Sequence, residues 1–204
     1  AGAGAGAALL ALPRPPLECS PAPGATVVHP GAASGARRWP ADRFAAVAAA
    51  EVAAGRAVVV TGAAAEQALA EEVAARAGLD RSCVLAGATD IGSLAALVAH
   101  AGRVICGDTG VAHLASAFGA PSVVLFGPVS PAVGGPPADG PHRVLWTGRL
   151  GDPHAASPSE GLLEISVDQV LAELAALPPP GPGAGRPSPS KLRSRTAPAS
   201  RSTS

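Results

Sequence analysis

The sequence predicts an α/β domain in which a parallel sheet carries helices on both faces. Three observations predict it. Short apolar runs of strand length recur along the chain, longer alanine-rich segments of helical length separate them, and most runs end in a glycine-bearing turn. Strands that read as unbroken apolar runs, without polar alternation, belong to sheets buried on both sides.

The elements follow in order. In residues 1–24, AGAGAGAALLAL reads as a short alanine-rich helix and LPRPPLECSPAPG as an extended proline-punctuated linker. The opening stretch looks like the apolar part of a signal peptide but lacks a basic n-region, so it is not expected to act as one. Methionine is absent even at position 1, so the chain is not expected to begin at a native start codon. ATVVHPG is the first strand and turns at Gly31. WPADRFAAVAAAEVAAG is a helix, with Pro40 near its first turn and Gly55 at its end. RAVVVTG is a strand, and AAEQALAEEVAARAG is a helix closed by Gly78. SCVLAG is expected as a further strand, and DIGSLAALVAHAG as a helix capped by Thr89 or Asp90. RVICGD, TGVAHLASAFG and PSVVLFG give strand, helix and strand. HRVLWTG is the sixth strand expected, and SVDQVLAELAAL the last helix, with Ser166 as its cap. The domain thus spans residues 25–177. From Pro178 the composition collapses to Pro, Gly, Ser, Ala and Arg, and residues 178–204 read as a disordered tail with almost nothing to bury.

Composition narrows the function classes. Hydrophobic residues make up 48% of the chain and aromatics only 2%, so Ala, Val and Leu must build the core. The formal net charge is zero. Five of the 15 basic residues (Arg186, Lys191, Arg193, Arg195, Arg201) lie in the tail, which leaves the body with a net of −5. A basic face for nucleic acid is not expected on such a body. No apolar run reaches the roughly 18 residues a membrane span requires, so membrane contact is at most peripheral. The three cysteines, Cys19, Cys83 and Cys106, lack C-x-x-C spacing. They read as reduced thiols of a cytoplasmic protein, the last two in buried strands. The five histidines lack i, i+4 spacing, and no metal or cofactor site is expected. A Walker lysine, a G-x-S-x-G elbow and a clean G-x-G-x-x-G are all missing.

What remains is a set of polar residues at strand ends, on the rim where open α/β sheets bind ligands. Arg37 and Arg38 stand between the first strand and its helix; paired guanidiniums there suit a diphosphate, and are otherwise surface charges. Glu66 opens the next helix, where a carboxylate accepts from ribose hydroxyls or simply complements the helix dipole. Asp108, Thr109 and Gly110 lie between a strand and a helix. Asp108 is either a helix cap or a ligand for sugar hydroxyls, while the amides behind it suit a phosphate. His113, one turn into that helix, either packs or faces the same ligand. Gly134, Gly135, Pro136 and Pro137 form a flexible loop near this rim.

The runs VVHPGA, ARRWPADRFA, VVVTGAAAEQALAEEVA, LAGATDIGSLAALVAHA and VICGDTGVAHLASAFGAPSVVLFGP, with the proline-rich segment after them, resemble glycosyltransferase family 9. That group contains the ADP-heptose:lipopolysaccharide heptosyltransferases. The resemblance covers about Thr26 to Pro137, and D-T-G-x-x-H-L-A-x-A-x-G-x-P is its most specific run. It implies a Rossmann-like lobe, the C-terminal, donor-binding half of a two-lobed GT-B enzyme. It implies that Arg37 contacts phosphate or sugar, Glu66 the ribose, Asp108 the donor sugar, and Thr109 and Gly110 the diphosphate, with His113 adjacent. The implied partners are a nucleotide-diphospho-sugar donor such as ADP-heptose and a glycan or lipid-linked acceptor. The acceptor and the general base belong to an N-terminal lobe that this chain does not resemble. Without that lobe, the chain reads alternatively as a truncated nucleotide-binding module with no catalysis of its own. An epimerase of the same architecture would need catalytic acids not found here.

Overall fold

The computed structural model describes residues 12–179. Its sheet contains β1 (Thr26–His29), β2 (Val58–Val60), β3 (Arg103–Gly107), β4 (Ser122–Leu125) and β5 (His142–Leu145). All neighbours are parallel, in the order β2-β1-β3-β4-β5. The helices are α1 (Ala41–Ala53), α2 (Gln67–Arg76), α3 (Ile91–Ala99), α4 (Gly110–Phe118), α5 (Pro131–Gly134), α6 (Glu160–Glu164) and α7 (Val167–Ala175).

Successive strand residues serve opposite faces, as a two-residue period dictates. Val28, Val58, Val60, Ile105, Val123 and Leu125 meet α1, α2 and α7 in one core. Val27, Val59, Val104, Cys106, Val124 and Phe126 meet α3 and α4 in the other. Both layers are built from small side chains, so the few large ones matter. Trp39 and Phe44 pack edge to face with centroids 5.1 Å apart, and both are buried.

The helix signals hold. Asp90 caps α3 by accepting from the Ser93 amide at 2.7 Å. Ser166 and Gln169 form a reciprocal capping box on α7. Gly55, Gly78 and Gly119 follow α1, α2 and α4 at positive φ, where any other residue pays for its Cβ.

Three expectations are corrected. SCVLAG forms no strand. Asp80 accepts from the Ser82 amide and closes Arg81–Cys83 into a 3-10 turn, after which Val84 makes a single bridge to Val60. Cys83 is accordingly half-buried in a turn and not buried in a strand. The described sheet therefore has five strands, not six. The Gly134 loop is also partly helical, as α5, capped by Ser130. Of the linker, Leu17–Cys19 is a 3-10 turn. Arg14 donates to the Phe118 carbonyl at the end of α4 (2.8 Å), and Pro15 O meets His100 Nε2 (2.7 Å). The expected helix in residues 1–11 and the tail from 180 onward lie outside the described residues.

At the amino end of the sheet, Glu51 is buried with an ionic cluster. It accepts from Thr26 Oγ1 at 2.7 Å and pairs with Arg103 at 3.6 Å and Arg56 at 3.5 Å. Burial holds the Arg103 pKa below its usual value, with Glu51 opposing.

Candidate functional site

The carboxyl ends of β1, β2 and β3 open onto one rim, and the chain returns there after each strand. After β1, residues 30–40 run along the rim, with Gly35–Arg37 forming a 3-10 turn. Arg37 closes that turn and Arg38 follows in extended backbone (φ −92°, ψ 112°). The two guanidiniums consequently diverge. Arg37 lies 3.3 Å from the Asp108 carboxylate. Arg38 donates from Nε and Nη2 to the Ala32 carbonyl (3.1 and 2.8 Å), pinning its own loop, and lies 3.9 Å from Glu66.

Glu66 is mostly buried and does two things. Its Oε2 accepts from the Ala63 amide at 2.9 Å, which holds the turn before α2. Its carboxylate also occupies the space over Gly31 that a Cβ would need. Gly31 is thus fixed by close approach rather than by an unusual dihedral angle.

Asp108 and Thr109 connect β3 to α4. The Arg37 carbonyl sits 3.1 Å from where a Cβ on Gly107 would stand, so the two rim segments touch. Thr109 occupies the N-cap position of α4, yet its hydroxyl makes no cap bond and is buried without a hydrogen-bond partner. Gly110 follows in the open; a Cβ there would meet nothing within 4 Å. Gly110 is exposed, so the N-terminus of α4, the positive end of its dipole, lies at the surface of the rim. His113 is exposed one turn further on, 4.0 Å from where a Cβ on Gly134 would stand.

The rim thus brings together Arg37 with Asp108 and the α4 amides, and Arg38 with Glu66. Among the described residues, no cluster of three or more His, Cys, Asp or Glu residues is arranged to hold a metal ion. No described helix is long and apolar enough to cross a membrane.

Two buried groups, His29 and Cys106, lie beneath the rim, Cys106 in a buried strand as expected. His29 Nδ1 lies 3.0 Å from Thr61 Oγ1, whose hydroxyl in turn reaches the Val28 carbonyl at 3.4 Å. Burial lowers the His29 pKa below 6.5, with Glu66 pulling the other way. Burial lowers the His142 pKa as well. Neutral histidine in the folded state means that the unfolded chain takes up protons the folded chain refuses. Stability is complete above pH 6.5 and is lost as the pH falls from there. Thermal melts at pH 7.5, 6.5 and 5.5 are expected to show a falling Tm, and a His29→Gln variant a flatter profile. Cys106 lies under Asp108. Burial, and secondarily the Asp108 charge, push its thiol up to about 12; it stays protonated and is no nucleophile.

A separate cavity lies beside these residues, and Arg37, Arg38, Glu66, Asp108, Thr109, Gly110 and His113 do not line it. Residues of the 149–161 segment line it together with Ala36, and its volume is about 550 Å³. Ser159 caps α6 within this segment, and Arg149 pairs with Glu160 and Glu164 at 2.9 and 2.7 Å.

The chain is similar to known proteins. The model of Glycosyltransferase family 9 (heptosyltransferase) matches residues 14–149. Lipopolysaccharide heptosyltransferase 2 of Escherichia coli K12 is 34% identical over 158 residues, covering 72% of this chain and 45% of the relative. Lipooligosaccharide heptosyltransferase 2 of Haemophilus influenzae is 36% identical over 114 residues, covering 54% of this chain and 33% of the relative. The solved ADP-heptose lps heptosyltransferase II of E. coli superposes with a TM-score of 0.65 at 29% identity, covering 76% of this chain and 46% of that one. The chain spans between a third and a half of the length of these relatives.

Proposed function

The chain belongs to glycosyltransferase family 9, and on that premise we propose that it is the donor-binding lobe of a heptosyltransferase-like enzyme. The observation that carries this reading is the 3.3 Å approach of Arg37 to Asp108, which seats a forked cation beside the open N-terminus of α4. The ligand is a nucleotide diphospho-sugar, with ADP-heptose as the nearest chemistry, since a relative at 29% identity carries that name.

In this reading the diphosphate lies along the first amides of α4, with Arg37 on its flank. Helix-end amides and a guanidinium both donate to phosphate oxygens. The orphaned Thr109 hydroxyl gains its missing partner there. Asp108 does not face the phosphate, which would repel it; it orients Arg37 and accepts from hydroxyls of the sugar. Glu66, across from Arg38, accepts from the ribose. His113 borders the seat from the α5 side.

Transfer then inverts the sugar carbon. An acceptor hydroxyl attacks from the face opposite the diphosphate, forming the new C–O bond as the old one breaks. The departing diphosphate gathers negative charge, and Arg37 with the α4 dipole stabilises it without a metal ion. The hydroxyl proton must pass to a base. Both rim carboxylates are engaged by arginines, so the base and the glycan or lipid-linked acceptor are assigned to a second lobe. The same engagement favours a second reading, a nucleotide-binding module with no activity of its own.

Calorimetric titration of this chain with ADP, ADP-mannose and AMP, with and without EDTA, tests the proposal. ADP and the ADP-sugar are expected to bind, AMP to bind at least about tenfold more weakly for loss of the second phosphate, and EDTA to change nothing. Equal affinity for AMP and ADP would overturn the diphosphate seat. Sugar transfer by the chain joined to an acceptor lobe separates enzyme from module.

A further inference from the structure

We propose that the loop Pro153–Ser159 is a positioning element for Arg37, acting through Ser34, Gly35 and Ala36. The proposal rests on the diphosphate role of Arg37 argued above. Every residue of the three before Arg37 is gripped by this loop. Ser34 Oγ donates to the Pro153 carbonyl at 2.6 Å. The Ala36 amide donates to the Ala155 carbonyl at 2.9 Å, and the Ala36 carbonyl accepts from the Ser159 amide at 3.2 Å. Gly35 faces the Ala156 carbonyl so closely that a Cβ has no room. Ala36 itself is fully buried.

The grip continues beyond Arg37. Trp39 Nε1 donates to the Ile165 carbonyl at 3.0 Å, and Arg43 Nη1 reaches the carbonyls of Leu163 and Ile165 at 2.7 Å. The loop is held to the sheet in turn, because Ser159 and Leu162 fill the space beside Gly127 after β4. A rim arginine on a free loop would sample many rotamers and lose entropy on binding. One whose backbone is bonded on both sides is preorganised, and misplacement by about 1 Å can cost roughly two orders of magnitude in function. None of these contacts involves Asp108, Thr109 or Gly110, so Ser34 and Gly35 act through Arg37.

The test is a double-mutant cycle on ADP binding by calorimetry. Gly35→Ala is expected to weaken ADP binding by roughly tenfold, and Ser34→Ala by about threefold. In an Arg37→Ala background both effects are expected to vanish, while the loss of Tm from each substitution, small for Ser34→Ala and larger for Gly35→Ala, persists. Ser34→Thr, which keeps the hydroxyl, is expected to restore binding. Should Gly35→Ala fail to fold, Ser34→Ala and Ser34→Thr carry the cycle alone. Losses that add to that of Arg37→Ala, or unchanged affinity in Ser34→Ala, would overturn the positioning role. Failure of the unsubstituted chain to bind ADP would instead overturn the diphosphate reading on which this one stands.

Discussion

Replacing Arg37 with alanine is expected to weaken ADP binding by about one to two orders of magnitude. Hydrogen bonds to charged groups contribute roughly 1.5–3 kcal/mol each, and 1.4 kcal/mol is tenfold in affinity. The loss has two sources. The guanidinium no longer reaches the diphosphate, and the Asp108 carboxylate, 3.3 Å from it in the folded protein, is left unpaired beside an anionic ligand. The second source makes a distinctive prediction. Removing Asp108 as well should restore part of the ADP affinity lost with Arg37, even though Asp108→Ala alone reduces use of the sugar-bearing donor. Arg37→Lys keeps a charge and loses the fork, so a loss of only a few-fold is expected. Arg38→Ala should cost less than Arg37→Ala, because its Nε and Nη2 are spent on the Ala32 carbonyl. Calorimetry on these variants decides it; an Arg37→Ala protein that binds ADP as the parent does would refute the assignment.

Trp39→Ala is expected to remove about 3–5 kcal/mol of stability. Single domains are stable by only roughly 5–15 kcal/mol, so the variant should melt about 6–20 °C lower. The residue is one of two tryptophans among 204 residues, fully enclosed, stacked edge-on to Phe44 and bonded to the Ile165 carbonyl. Alanine and valine neighbours have too few atoms to close the void. Trp39→Phe separates packing from hydrogen bonding. The Ile165 carbonyl keeps Arg43 as a donor at 2.7 Å, so it is not orphaned, and a cost of about 1 kcal/mol is expected. Denaturant unfolding monitored by circular dichroism measures both. A Trp39→Ala protein within about 1 kcal/mol of the parent would contradict this account of the core.

Much of this was legible in the residues, for physical reasons. Val27-Val28, Val58–Val60 and Ile105-Cys106 announce strands because nothing but a two-sided core tolerates such runs. Gly55, Gly78 and Gly119 mark helix ends because of a conformation only glycine adopts freely. The rim residues Arg37, Arg38, Glu66 and Asp108 were found because parallel strands deliver their carboxyl ends to one edge. Two things were not legible. Cys83-Val84-Leu85 has strand composition, but the Asp80 turn consumes its start and β2 offers it only a short edge. The grip of Pro153–Ser159 on Ser34–Ala36 joins segments about 120 residues apart through backbone atoms and the single Ser34 hydroxyl; such contacts carry no periodic side-chain pattern. The one available hint was Ser159, a cap residue ahead of Glu160-Gly161-Leu162-Leu163. The divergence of Arg37 from Arg38 depended likewise on a 3-10 turn ending between them.

The buried carboxylate at the foot of the sheet has a consequence at its head. Where both faces of a strand are apolar, sliding it by one residue exchanges one valine for another and carries little penalty of polarity. Thr26 and Arg103 are directly opposite each other on neighbouring strands, and Glu51 holds both. That three-way latch would break on a slip of about 3.3 Å, a step as long as the 3.3 Å gap between the arginine that follows the first strand and the aspartate that follows the third. An acid at the opposite end of the sheet thereby indexes the Arg37–Asp108 pair.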